Sequence, residues 1–171
     1  MSLFRGPFSI LVTLILCAAG TAAAQDIKRL DGGGSWRAYS FNEQGSPVCY
    51  IASEPSKDEG KYSKRGDIYL MVTHRPAEKS IDVVNVVAGY DYAKDSEVRV
   101  VIDDKAFQLF THKDTAWAPT EQDDKQLVQA MIKGKTMVVR GKSTRGTATK
   151  DTYSLIGFTK AYTSINKACG R

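Results

Sequence analysis

The only long apolar run in this chain is short and lies at the N-terminus. Phe8 to Ala19 is apolar except for Ser9 and Thr13. Arg5 precedes it, and small residues ending Ala22-Ala23-Ala24 follow it. A basic start, an apolar core and an Ala-x-Ala site form the order of a secretory signal peptide. Twelve residues are too few to span a bilayer as a helix. Residues 1–24 are therefore read as a cleaved signal peptide, with no transmembrane segment left after cleavage. The expected location is the periplasm, the outer surface or the medium.

Export constrains the cysteines. The chain has three, and Cys17 leaves with the signal. Cys49 and Cys169 remain, an even count in an oxidising compartment, so a disulfide between them is expected. Such a bond closes most of the mature chain into one loop, worth about 5 kcal/mol at most in the chain-entropy model. Losing Arg5 lowers the net charge from +5 to +4. That is mild, and no basic stripe accompanies it, so no nucleic-acid partner is expected. A hydrophobic share of 42% excludes a disordered chain.

Residues 25–35 are polar, end in Gly32-Gly33-Gly34, and read as a flexible lead-in. Residues 36–171 read as one β-rich domain. Strands are expected at 36–41, 48–52, 67–75, 81–88, 97–102, 106–111, 115–118, 136–141 and 151–155, from their β-branched and aromatic content. Asp103-Asp104 marks a hairpin between two of them. A helix is expected over 121–133, with Thr120 as cap, Leu127, Ala130 and Met131 on one face, and Gly134 beyond its end. Phe158, Ala161, Tyr162 and Ile165 place a second helix before Cys169. The fold class is mainly β: an antiparallel β-sandwich or small barrel with two helices, the last at the C-terminus.

Motifs of catalytic chemistry are weak. Gly141-Lys142-Ser143 resembles the end of a phosphate loop, but Thr136 stands where the first glycine belongs. His74 and His112 lack ligand spacing and read as exposed strand-end residues, so no metal and no cofactor are expected. Ser154 has no nucleophile elbow around it. Asp123-Asp124 suits a helix N-terminus. Arg65-Gly66-Asp67 is kept as a candidate adhesion point, which requires a protruding turn presenting both charges. Trp36, Trp117 and the tyrosines read first as core, and second as a sugar- or partner-binding face.

Several segments together resemble one family. They are Trp36, Cys49, Arg65-Gly66, Tyr69, Val72-Thr73-x-Arg75-Pro76, Gly89-Tyr90-x-Tyr92, Phe107-x-Leu109-Phe110-Thr111 and Ala116-Trp117. The longest runs from Gly141-x-Ser143-x-Arg145-Gly146-Thr147-x-Thr149-x-Asp151 through Thr152-Tyr153-Ser154-Leu155-x-Gly157-Phe158, before Ala161-Tyr162 and Cys169. In order and spacing they resemble the invasion-associated locus B family of exported Gram-negative proteins. The resemblance implies an envelope protein linked, in some pathogens, to host-cell entry, and it supplies no catalytic residues. A structural reading also covers the last stretch: Gly146 and Gly157 permit tight turns, and Ser and Thr bond local amides.

The expectation is thus a non-enzymatic binding protein with a protein or cell-surface partner. Two alternatives stand beside it. One is an envelope hydrolase or carbohydrate-binding enzyme whose cleft is lined by tyrosines and an aspartate such as Asp151. The other is a helper for exported proteins that uses an exposed apolar patch or the Tyr90–Tyr92 loop.

Overall fold

A computed structural model describes residues 26–171. The expected signal peptide lies outside the described residues. Eleven strands make one antiparallel sheet: β1 (Lys28–Gly33), β2 (Trp36–Glu43), β3 (Ser46–Ser53), β4 (Lys57–Gly60), β5 (Tyr69–Arg75), β6 (Ser80–Val87), β7 (Glu97–Ile102), β8 (Lys105–His112), β9 (Thr115–Trp117), β10 (Thr136–Lys142) and β11 (Ala148–Ser154). Helix α1 (Glu121–Lys133) lies between β9 and β10, and α2 (Phe158–Ala168) follows β11. The sheet order is β1-β2-β3-β5-β6-β9-β8-β7-β10-β11-β4. The mainly antiparallel β class with a final helix is as the sequence predicts. Among the described residues, no helix is long and apolar enough to cross a membrane.

The sheet curls until its two flanks meet. Trp36 on β2 donates its indole Nε1–H to the Ser154 carbonyl at the end of β11, at 2.9 Å. Inward residues alternate with outward ones, as a half-buried pleat requires. Leu70, Val72, Val84 and Val86 from one half face Val98, Val100, Leu109, Met137 and Val139 from the other in one buried core. Helix α2 closes the core over β1, β2 and β3, with Phe158 edge-on to Trp36 at 4.9 Å between ring centroids.

The helices are built as their sequences specify. Thr120 is extended and its Oγ1 accepts from the Asp123 amide, a cap worth about 1 kcal/mol. Leu127, Val128 and Met131 are buried. Gly134 follows α1 in an extended rather than left-handed conformation, so its backbone freedom is not what ends the helix. Cys49 and Cys169 form the disulfide, with Cα atoms 6.1 Å apart and 120 residues between them in sequence. It fixes the end of α2 to β3.

Two strands were not expected. Residues 28–33, inside the segment read as a flexible lead-in, form β1 and pair with β2. The glycines there serve close packing rather than mobility. A Cβ on Gly33 would lie 2.7 Å from the Gly157 carbonyl oxygen, and Gly157 itself has φ 90°. Strand β4, inside a segment read as a charged loop, pairs with β11 at the sheet edge.

Candidate functional site: a cleft above a buried arginine–aspartate pair

Arg65 precedes β5, and Asp151 lies mid-way along β11. Their side chains are 4% and 3% exposed. Arg65 Nη1 and Nη2 donate to the two Asp151 oxygens at 2.7 and 2.6 Å, a bidentate pair, while Nε donates to the Ala88 carbonyl at 2.7 Å. The planar fork thus makes three bonds in fixed directions, which a lysine does not reproduce. Its carbon Cζ lies 5.4 Å from the Tyr62 ring centroid and 5.1 Å from that of Tyr90. Burial opposes the arginine's charge, but Asp151 outweighs it and the guanidinium pKa is raised.

Backbone contacts set the surrounding loops. The Gly66 amide donates to the Gly89 carbonyl at 2.9 Å. Gly89 has φ 71°, and a Cβ there would lie 2.4 Å from the Gly66 oxygen. Only glycine accepts that approach without displacing the loop. The Thr144 amide donates to the Asp91 carbonyl at 2.9 Å. Ser143 organises its own turn: Oγ accepts from the Thr147 amide at 3.2 Å, and its carbonyl accepts from Gly146. Tyr90 shares a 2.6 Å hydrogen bond with Thr149.

Between these loops lies a cleft of about 510 Å³. Residues 61–66 form one wall, 89–91 a second, and 143–149 a third. The pKa of Tyr62 is raised, chiefly by its bond to Asp58, and that of Tyr90 is raised by burial.

The adhesion candidate takes a different form. Arg65 is turned inward and both charges of Arg65-Gly66-Asp67 cannot be offered together, because a buried carboxylate holds the guanidinium. Asp67 remains exposed and lines a separate depression with Glu54 and Asp58. Asp151, the carboxylate considered for hydrolysis, is Arg65's partner.

At the other end of the β5–β6 hairpin is a second polar network, which the sequence did not reveal. His74 was expected to be exposed and is fully buried, whereas His112 is exposed at the end of β8. The Asp82 amide donates to His74 Nδ1 at 3.1 Å, so the proton sits on Nε2 and is donated to Asn166 Oδ1 at 3.0 Å. The 3.7 Å approach of Nδ1 to Asp82 Oδ1 is therefore not an ion pair. Burial, the largest influence, lowers the His74 pKa, although Asp82 acts against it. Tyr162 on α2 donates to Asp82 at 2.8 Å. Nearby, Asp124 of α1 accepts from the Val84 amide at 2.8 Å, and burial pushes its pKa up to about 6.

The aromatics divide between core and surface. Trp36 is core, Trp117 stacks on Phe110, and Tyr39 stacks on Tyr50 on the outer face of the sheet.

Known proteins place this architecture. Its fold is similar to the crystal structure of invasion associated protein B from Bartonella henselae. That likeness has a TM-score of 0.58 at 16% identity and covers 81% of this chain and 95% of that one. No curated protein sequence matches. The family model described as "Invasion associated locus B (IalB) protein" matches residues 36–166, which include the cleft, its buried ion pair and most of α2. The chain belongs to the invasion associated locus B family.

Proposed function

We propose that this chain is an exported, non-enzymatic binding protein of the cell envelope or surface. In this reading it contacts a protein or cell-surface partner, and host-cell contact is one setting for it. The observation that carries the reading is the condition of Asp151. Both carboxylate oxygens are committed to Arg65 beneath the cleft, so the aspartate that a hydrolase reading would use holds the loops instead. The signal-like residues 1–24, the Cys49–Cys169 bond and the family membership support export.

Two measurements test it. The full-length chain is expressed in a Gram-negative host, and its periplasmic extract and medium are examined by intact mass. A product starting at Gln25 and lacking two hydrogens supports the reading; a retained N-terminus or free thiols overturn export. Purified protein is then incubated with peptidoglycan, envelope glycans and ester substrates. Turnover abolished by Asp151→Asn in a variant that still folds overturns the non-enzymatic assignment.

A further inference from the structure

We infer that the cleft above Arg65 and Asp151 is a binding site for a small anionic sugar, one carrying a carboxylate or a phosphate. This rests on the binding reading above and names the ligand class. Three cations, Lys61, Lys64 and Arg145, line the cleft from two separate loops, and all three are exposed. None lies within ion-pair distance of a carboxylate among the described residues. The floor adds no net charge, because Asp151 neutralises Arg65. Asp91 is the one carboxylate lining the walls and Asp58 lies behind them, bonded to Tyr62, so three cations face two carboxylates. Positive potential is therefore concentrated in a concave, partly enclosed place, where a bound anion loses less to solvent screening than on an open face.

Size and lining argue for more than a lone ion. A cleft of about 510 Å³ falls within the range of small-molecule sites, roughly 300–1,000 Å³. Tyr62 and Tyr90 line it together with the hydroxyl residues Ser63, Thr144 and Thr147. Apolar ring surface beside hydroxyl donors and acceptors suits a pyranose, which presents C–H groups and hydroxyls together. The walls are prearranged: Gly66 is tied to Gly89, Thr144 to Asp91, and Thr147 to Ser143. A ligand would therefore pay little to order the loops.

The test is an amide NMR titration of the disulfide-bonded protein with glucuronate, glucose-6-phosphate, glucose and inorganic phosphate. At least one charged sugar is expected to shift residues 61–66, 89–91 and 143–149. It should bind about tenfold or more tightly than glucose, since one charge-assisted hydrogen bond accounts for that factor. Comparing glucuronate with glucose-6-phosphate identifies the anion. The variant Lys61→Ala/Lys64→Ala/Arg145→Ala, altered only at exposed positions, should keep its melting temperature and lose the binding. Equal binding by that variant overturns the inference, as do shifts confined to Tyr39 and Tyr50. Inorganic phosphate binding as tightly as glucose-6-phosphate overturns the sugar component. Failure here leaves export and the absence of turnover standing, whereas hydrolysis of a bound sugar would overturn the non-enzymatic reading and keep the site.

Discussion

The β5–β6 hairpin carries a buried polar network at each end, and the two differ in the group each one centres on, a charged guanidinium or a neutral imidazole. At the open end, Arg65 and Asp151 bury full charges and satisfy them with each other and with Ala88. At the turn end, His74 is buried neutral and depends on Asp82 and Asn166 for its hydrogen bonds. The first network lies beneath an open cleft. The second lies under α2 beside the disulfide, with Cys49 paired opposite His74 across β3 and β5. A charged pair tolerates a nearby solvent boundary, and its planar geometry fixes loops that would otherwise drift. A neutral imidazole suits a sealed interior, where an unpaired charge costs several kcal/mol, and the Asp82 carboxylate beside it is met by Arg171 Nη1 at 3.3 Å. One hairpin thereby ties the open cleft to a closed clamp.

The comparison can be broken most severely at the charged end. Arg65→Ala leaves Asp151 buried without its counter-ion and should cost about 3–5 kcal/mol in urea unfolding. Arg65→Met with Asp151→Leu should recover much of that while leaving the cleft floor uncharged. If the single variant costs under about 1 kcal/mol, the pair is solvated and the contrast fails. At the clamp, Cys49→Ser should cost about 2–4 kcal/mol and make melting insensitive to reductant. Unchanged melting of the native protein in reductant would show that α2 needs no tether.

Acid sharpens the contrast. His74 has a lowered folded pKa, so the unfolded chain takes up its proton first, and stability is lost as pH falls below about 6.5. Asp124 acts in the opposite sense. Its folded pKa is raised from 3.8 to about 6, so its contribution is complete below 3.8 and is lost as pH rises through 6. Asp124→Asn keeps an oxygen for the Val84 amide and should add on the order of 2 kcal/mol at pH 7. Its melting temperature should then fall more steeply than that of the native protein between about pH 6 and 4. Parallel acid profiles for the two proteins would remove Asp124 from the account. The smallest effect is expected at Tyr153, whose buried hydroxyl has no hydrogen-bond partner among the described residues. Tyr153→Phe should be neutral or stabilise by up to about 1 kcal/mol; a clear drop in melting temperature would reveal a hidden partner.

Much of this was legible where local pattern and tertiary demand coincide. Helix α1 has an apolar stripe and a capping threonine, and it spans the expected residues 121–133. The Asp103-Asp104 hairpin follows from its two polar residues, with Asp103 at φ 48°. Strand β1 was missed because three glycines read as a tether, and only the meeting of Gly33 with Gly157 shows their use. Strand β4 has the sequence Lys-Asp-Glu-Gly, with no apolar alternation, because it pairs along one edge and buries little. The buried polar residues did leave a signal. In β5, Leu70, Val72 and His74 share one parity; in β6, Asp82 shares it with Val84 and Val86; in β11, Asp151 shares it with Tyr153. A polar side chain at the inward parity of an alternating strand is a candidate for burial, although its partner cannot be read from the strand itself.

The closure of β2 against β11 also dictates an order of events. Trp36 waits for Ser154, Ser56 for Thr152, and Cys49 for Cys169, with 118, 96 and 120 positions separating the members of each couple. Early segments can form hairpins but cannot lock, since their covering pieces are made last. Such a topology folds slowly. For a polypeptide proposed to thread through a translocation channel, a slow closure of this kind would favour pliability in transit.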